Sequence, residues 1–156
     1  MDYEKDGILI RLKDVRQDLD MTQNVVATKL NIKQGVYSRW ENGKEMIPLI
    51  RLNELCNFFH YTMDYITGLT LTNKKSDCTH AIDFKICGDR LKLWRKSKGL
   101  TQKQLAEILN TTQSTISAYE AGKTLILTAF AYQLAKTYHV SIDWLVGRSE
   151  IMDIQD

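Results

Sequence analysis

Two groups of side chains in this sequence offer chemistry, and their spacing separates them. The first are hydrogen-bonding heads. Gln34 and Gln113 carry amides that can pair with N6 and N7 of adenine together, and Arg39 carries a guanidinium that can take O6 and N7 of guanine. The second are metal-binding and acid–base groups, and these fail on arrangement. Cys78, His80 and Cys87 lack both a tight CxxC pair and a fourth ligand, so no metal is expected. No Ser–His–Asp arrangement and no glycine-rich phosphate loop after a strand is apparent. The chain is therefore not expected to be an enzyme or to need a cofactor.

The bulk properties narrow the class. The 156 residues are 44% apolar and 26% charged, with a mean hydropathy of −0.30, which is globular. No window reaches the roughly 18 apolar residues of a membrane span. The polar, acidic start MDYEKDG leads us to expect no secretory signal. Three scattered cysteines argue against a disulfide framework and for a reducing compartment, the cytoplasm. A single proline and abundant Leu, Lys, Gln, Glu and Ala predict an all-α chain. The net charge of +2 permits a nucleic-acid partner without demanding one.

The elements that position the heads come in duplicate. Shifted by 79 residues, the chain matches itself without a gap at about 19 of 59 positions. The matches include Arg16 with Arg95, Thr22-Gln23 with Thr101-Gln102, Leu30-Asn31 with Leu109-Asn110, Gln34 with Gln113, Glu41 with Glu120 and Gly43-Lys44 with Gly122-Lys123. We expect two domains, residues 1–71 and 86–156, joined by a polar linker over 72–85. Residues 1–71 hold 9 basic and 10 acidic side chains, net −1, and residues 85–156 hold 10 and 7, net +3. The second copy suits a polyanion better.

Each copy reads as five short helices. Ile8, Leu12, Val15 and Leu19 predict one apolar stripe on the first, matched by Cys87, Leu91 and Trp94. Thr22 and Thr101 suit N-caps of the second helix. Helix three spans 34–41 and 113–120, with Tyr37 and Trp40, or Ile116 and Tyr119, turned inward. Helix four carries Leu52, Leu55, Cys56 and Phe59, or Ala131, Leu134, Ala135 and Tyr138, and ends at His60 or His139, which read as capping or packing residues. Thr62 and Ser141 cap the fifth, with Asp64 and Asp143 placed well for its dipole. Asn31 and Asn110 tolerate the left-handed turn that ends helix two, and only about three residues then precede helix three. The two helices must cross steeply, which is helix-turn-helix geometry.

These strings, with Asp64-Tyr65-Ile66-Thr67-Gly68 and Asp143-Trp144-Leu145-Val146-Gly147 closing each copy, resemble the Cro/repressor type of helix-turn-helix domain, the Xre-like family. The resemblance covers nearly all of both copies. It implies two tandem five-helix lambda-repressor-like domains and a double-stranded DNA partner for a transcriptional regulator, a repressor of bacterial or phage type, working on the nucleoid. It implies that helix three enters the major groove while helix two crosses the backbone. Gln23 and Gln102 would meet a phosphate and brace the glutamine that follows, and Gln34 and Gln113 would read bases. Arg16–Glu41 and Arg95–Glu120 would be semi-buried ion pairs of the scaffold. The rest of the reading face differs between copies: Lys33, Gly35, Ser38 and Arg39 in the first, Thr112, Ser114, Thr115, Ser117 and Ala118 in the second. Lys44 and Lys123 suit phosphate contact. Lys33 stands where Thr112 caps, and a lysine cannot accept the orphan N–H bonds, which costs about 1 kcal/mol. With Gly35 it leaves two readings of the first copy, a helix that gives up stability for contact or a degenerate one.

Half-sites one helical turn apart are separated by about 34 Å. A free linker with its flanks, roughly 16 residues, extends to about 50 Å and averages about 22 Å as a coil. One chain would then span both half-sites, and a homodimer and a small-molecule effector stay open. The alternative is an interaction protein whose first copy dimerises or docks an effector while only the second binds DNA. Phe58, Phe59, Tyr61, Met63 and Tyr65 would then be either core or interface.

Overall fold

The computed structural model describes residues 7–72 and 74–156. Residues 1–6 of the acidic start and Asn73 of the expected linker lie outside them. The described residues form ten helices and no strand: α1 (Leu12–Asp18), α2 (Gln23–Lys29), α3 (Gln34–Glu41), α4 (Leu49–Phe59), α5 (Met63–Ile66), α6 (Phe84–Ser97), α7 (Gln102–Ile108), α8 (Gln113–Glu120), α9 (Thr128–Tyr138) and α10 (Ile142–Leu145). No described helix is long and apolar enough to cross a membrane. The chain divides into two compact units, Met1–Ala81 with Gln155–Asp156, and Ile82–Ile154.

Local chemistry sets the helix ends. The hydroxyls of Thr22, Thr62 and Ser141 accept from the backbone N–H three residues on, and Thr101 forms a full capping box with Gln104. Asn31 (φ 54°) and Asn110 (φ 53°) make the left-handed turns after α2 and α7. His60 and His139 are left-handed C-caps of α4 and α9, each donating its backbone N–H to the carbonyl four residues back. Both histidines are surface-exposed caps and not buried packing residues. Each unit buries its own core. Leu12, Val26, Tyr37, Leu52 and Ile66 fill the first, and Leu91, Leu105, Ile116, Leu134 and Leu145 the second. Cys87 is core, and burial pushes its thiol pKa up to about 12, so it is inert.

The first helix departs from expectation. Leu19 is 44% exposed at the C-cap of α1, and Ile8, although buried, precedes the helix. Its counterpart α6 runs twice as long and is capped by Asp83, whose carboxylate accepts from Lys85 and Ile86 N–H. The repeat explains the difference. Gly88 lies where a Cβ would stand 2.5 Å from the Tyr119 carbonyl and 2.6 Å from that of Glu120. The residue that falls on Gly88 in the first copy is Leu9. A helix continued back from Leu12 at the same approach would drive that side chain into the end of α3, so the chain turns at Gly7 (φ 60°) instead.

Most of the residues read as a linker are bonded to the first unit. Thr62 N–H donates to the Lys74 carbonyl (2.8 Å), Ser76 N–H to His60 (3.0 Å), and the Asn53 and Asn57 amides both donate to the carbonyl of His80 (3.0 Å each). The chain is thus bonded to the first unit as far as His80, and Asp83 already caps α6. Only Ala81 and Ile82 lie between. The second copy has the same strap, with Ser141 N–H on Met152 (2.8 Å) and Ile154 N–H on His139 (2.9 Å). The repeated module includes this return to the helix four–five corner.

Two helical glycines in opposite surroundings should respond oppositely to alanine. Gly35, inside α3, has nothing within 4 Å of an added Cβ, so Gly35→Ala should stabilise the protein by about 0.5–1 kcal/mol. Gly88→Ala should destabilise it by about 1–3 kcal/mol through overpacking. Denaturant unfolding of the two variants measures both signs.

Candidate nucleic-acid interface

α3 and α8 each present two faces. Positions 34, 35, 38 and 39 share one side of α3, and 37 and 40 the other. Tyr37 and Trp40 are buried, as are Ile116 and Tyr119 of α8. The opposite side is open: Lys33, Gln34, Gly35 and Arg39 are exposed and Ser38 is half-buried, while Thr112, Gln113, Ser114 and Ser117 are exposed with Thr115 and Ala118 half-buried. Lys44 and Lys123, just beyond the helix ends, are exposed. Neither glutamine-led tip is folded into the interior.

A buried carboxylate supports each tip from behind. Glu41 Oε1 accepts from Arg16 Nη2 at 2.7 Å and its Oε2 from Arg16 Nε at 2.9 Å, with the Glu41 side chain 1% exposed. Arg95 and Glu120 repeat this fork at 2.5 and 3.1 Å. Each arginine also donates to the carbonyl two residues before the start of α2 or α7, Met21 or Leu100, at 2.7 Å. The carboxylates then accept from the glutamines that open α2 and α7, Gln23 at 3.3 Å and Gln102 at 2.9 Å. Burial alone would raise the pKa of these glutamates. The hydrogen bonds from arginine and glutamine outweigh it and hold both below the ordinary carboxylate value. Their arginines are shifted up, first by the bond to the glutamate.

The carboxylate also sets the polarity of the first tip. An ionised carboxylate only accepts, so the amide of Gln23 must turn its nitrogen to Glu41 and its oxygen outward. That oxygen accepts from Gln34 Nε2 at 2.7 Å. Gln34 is left with its oxygen and one N–H for a base edge, the complement of adenine. In the second copy Gln113 makes no such bond among the described residues, and its amide is free to turn.

The remaining heads are held differently in the two copies. Thr112 caps α8 through Thr115 N–H at 3.2 Å, and its hydroxyl also meets those of Ser114 (3.0 Å) and Thr115 (2.9 Å). Lys33 offers α3 no side-chain cap. Arg39 Nε donates to Glu45 at 2.7 Å and Ser38 Oγ accepts from Asn42 at 3.1 Å. Glu45 and Asn42 are not legible as site residues from the sequence, because spacings of six across a loop, and of four past a helix end, carry no periodic signal. Of the aromatic cluster, Phe59 and Met63 are core, whereas Phe58, Tyr61 and Tyr65 stay half-buried, with Tyr61 stacked on Tyr65.

Removing one buried charge strands the other. Glu41→Gln and Glu120→Gln should each cost about 3–5 kcal/mol in denaturant unfolding. Because the folded glutamates have lowered pKa values, their contribution is fully present above the unfolded value of about 4.3 and is lost as pH falls through the folded one. Unfolding midpoints measured from pH 6 down to 3 should therefore fall, and fall less steeply in either variant.

The sequence pattern of the helix-turn-helix family matches residues 12–66 and again 91–145. The HTH-type transcriptional regulator ImmR of Bacillus subtilis (strain 168) is 39% identical over 64 residues, 41% of this chain and 50% of its own. A crystal structure of a transcriptional regulator from Listeria innocua is 31% identical, covering 45% of this chain and 64% of that one, with a TM-score of 0.38. The chain thus spans half the length of ImmR and under two thirds of the Listeria protein.

Proposed function

The chain belongs to the helix-turn-helix family, of the Cro/repressor (Xre-like) type in two tandem copies, and on that premise we propose that it is a sequence-specific transcriptional regulator that reads the major groove of double-stranded DNA with α3 and α8. One observation carries the reading. Both helices bury an apolar side and leave a glutamine-led polar side open, over a charge pair that fixes the backbone beneath it. In this reading Gln34 and Gln113 meet bases, with Ser38 and Arg39 beside the first and Ser114 and Ser117 beside the second. Thr112 and Thr115 serve the helix start through their shared hydroxyl cluster. Gln23, Gln102, Lys33, Lys44 and Lys123 take phosphates. The chemistry asked of these groups is recognition, and no bond is made or broken. The protein would act as a repressor on DNA of the cytoplasmic nucleoid.

The two reading sides share glutamine and serine and differ at Gly35/Ser114 and Arg39/Ala118, so the preferred half-sites should be unlike. Gln113→Ala with Ser114→Ala should abolish specific binding through the second copy while leaving helical content intact, as measured by gel shift and circular dichroism. Unchanged affinity for the selected sequence would defeat the assignment. Lys123→Ala should weaken binding to all duplexes alike and reduce the slope of log affinity against log salt by about 1.

A further inference from the structure

We propose that Glu45 is a specificity-determining positioning residue, which aims Arg39 at a guanine in the half-site of the first copy. The inference rests on the DNA-reading role given above to the open side of α3.

Five observations lead to it. Arg39 Nε donates to Glu45 Oε2 at 2.7 Å, and both side chains are about half exposed, 51% and 49%. Nη1 and Nη2 make no hydrogen bond among the described residues, so the two terminal nitrogens are left to take O6 and N7 of one guanine. Glu45 is itself tied to the helix it serves, because its backbone N–H and that of Lys44 donate to the Arg39 carbonyl at 3.2 and 2.9 Å. One residue of the loop therefore holds both the carbonyl and the guanidinium of Arg39. The neighbouring head has the same kind of support, Asn42 on Ser38. The second copy has neither: Ala118 and Thr124 stand for Arg39 and Glu45, and Ala121 for Asn42.

Charge argues that the pair is for orientation and not for stability. An exposed ion pair contributes little to folding. A carboxylate on the reading side also repels the phosphates that the lysines attract, so on affinity alone Glu45 is unfavourable there. What it does supply is a fixed plane for a side chain that otherwise has many rotamers, and that is worth most where two hydrogen bonds must form together. The arrangement favours the contact-for-stability reading of Lys33 and Gly35 over a degenerate helix. A degenerate helix would have no reason to carry two buttressed heads on one side.

The test uses the full chain. Sequences selected by the wild-type protein and by Arg39→Ala identify the base pair whose guanine preference depends on Arg39. At that pair, Glu45→Ala should lower the preference for guanine over the other bases about tenfold, toward that of Arg39→Ala, while affinity for unrelated duplex stays level or rises. Glu45→Gln keeps an acceptor for Nε and should restore most of the preference. The proposal is overturned if Glu45→Ala binds every sequence more tightly with the guanine preference intact, since Glu45 then merely shields Arg39. It is equally overturned if Arg39→Ala changes no position. Failure of the underlying reading is separate and visible, because Gln34→Ala together with Gln113→Ala would then leave specific binding unchanged.

Discussion

Each module turns on one buried carboxylate. Glu41 and Glu120 lie at the ends of α3 and α8, where they receive a forked arginine from the first helix and a glutamine from the second. Three helices thereby meet at two oxygen atoms. Desolvating a charge is expensive, and the expense is recovered only if both partners sit in the right geometry. The pair is consequently a poor source of net stability and a strict source of register: a slipped helix would leave a charge buried alone. The same carboxylate, being unable to donate, dictates which way the Gln23 amide faces, and through it which atoms Gln34 offers. A scaffold interaction reaches the reading tip in two hydrogen bonds.

On this common frame the two copies divide the work of holding their heads differently. The second invests in the helix start, where Thr112 caps α8 and draws Ser114 and Thr115 into one hydroxyl cluster, and where Thr101 and Gln104 box α7. The first leaves the start of α3 uncapped and braces its side chains instead, Gln34 by Gln23, Ser38 by Asn42 and Arg39 by Glu45. Braced side chains lose less rotamer freedom when they meet a partner, so in the proposed reading the uncapped helix is still selective. Net charge points the other way, toward the second copy. Charge bears on affinity for any polyanion, whereas bracing bears on discrimination among them, and the two properties need not lie in the same half.

Much of this was legible in the chain before its coordinates. Capping threonines, the left-handed asparagines and the inward faces of α3 and α8 follow from local rules, and the repeat made each rule count twice. The extent of α8 follows from its Thr112 cap and the left-handed Gly122 beyond it, and α3, which lacks a capping side chain, follows from Gly43 and from its repeat partner. What escaped was decided by residues far apart in sequence. The short first helix follows from Leu9 meeting the end of α3, which no periodicity in 8–19 shows. The strap over Lys74–His80 consists of backbone groups and two asparagine amides, so its polar composition passes for a linker. Arg39–Glu45 crosses a loop, and the Gln23 to Gln34 bond crosses the helix-turn-helix turn.

The strap changes what duplication can mean here. A free coil of sixteen residues would let two modules search for each other's half-site like separate proteins on a leash, with an effective concentration set by coil statistics. With His80 bonded to α4 and Asp83 capping α6, the covalent connection comes down to Ala81 and Ile82. The strap recurs in the second copy, Met152–Ile154 on the α9–α10 corner, so the return belongs to the module. The connection is short because the first module folds this strap back onto its own α4–α5 corner.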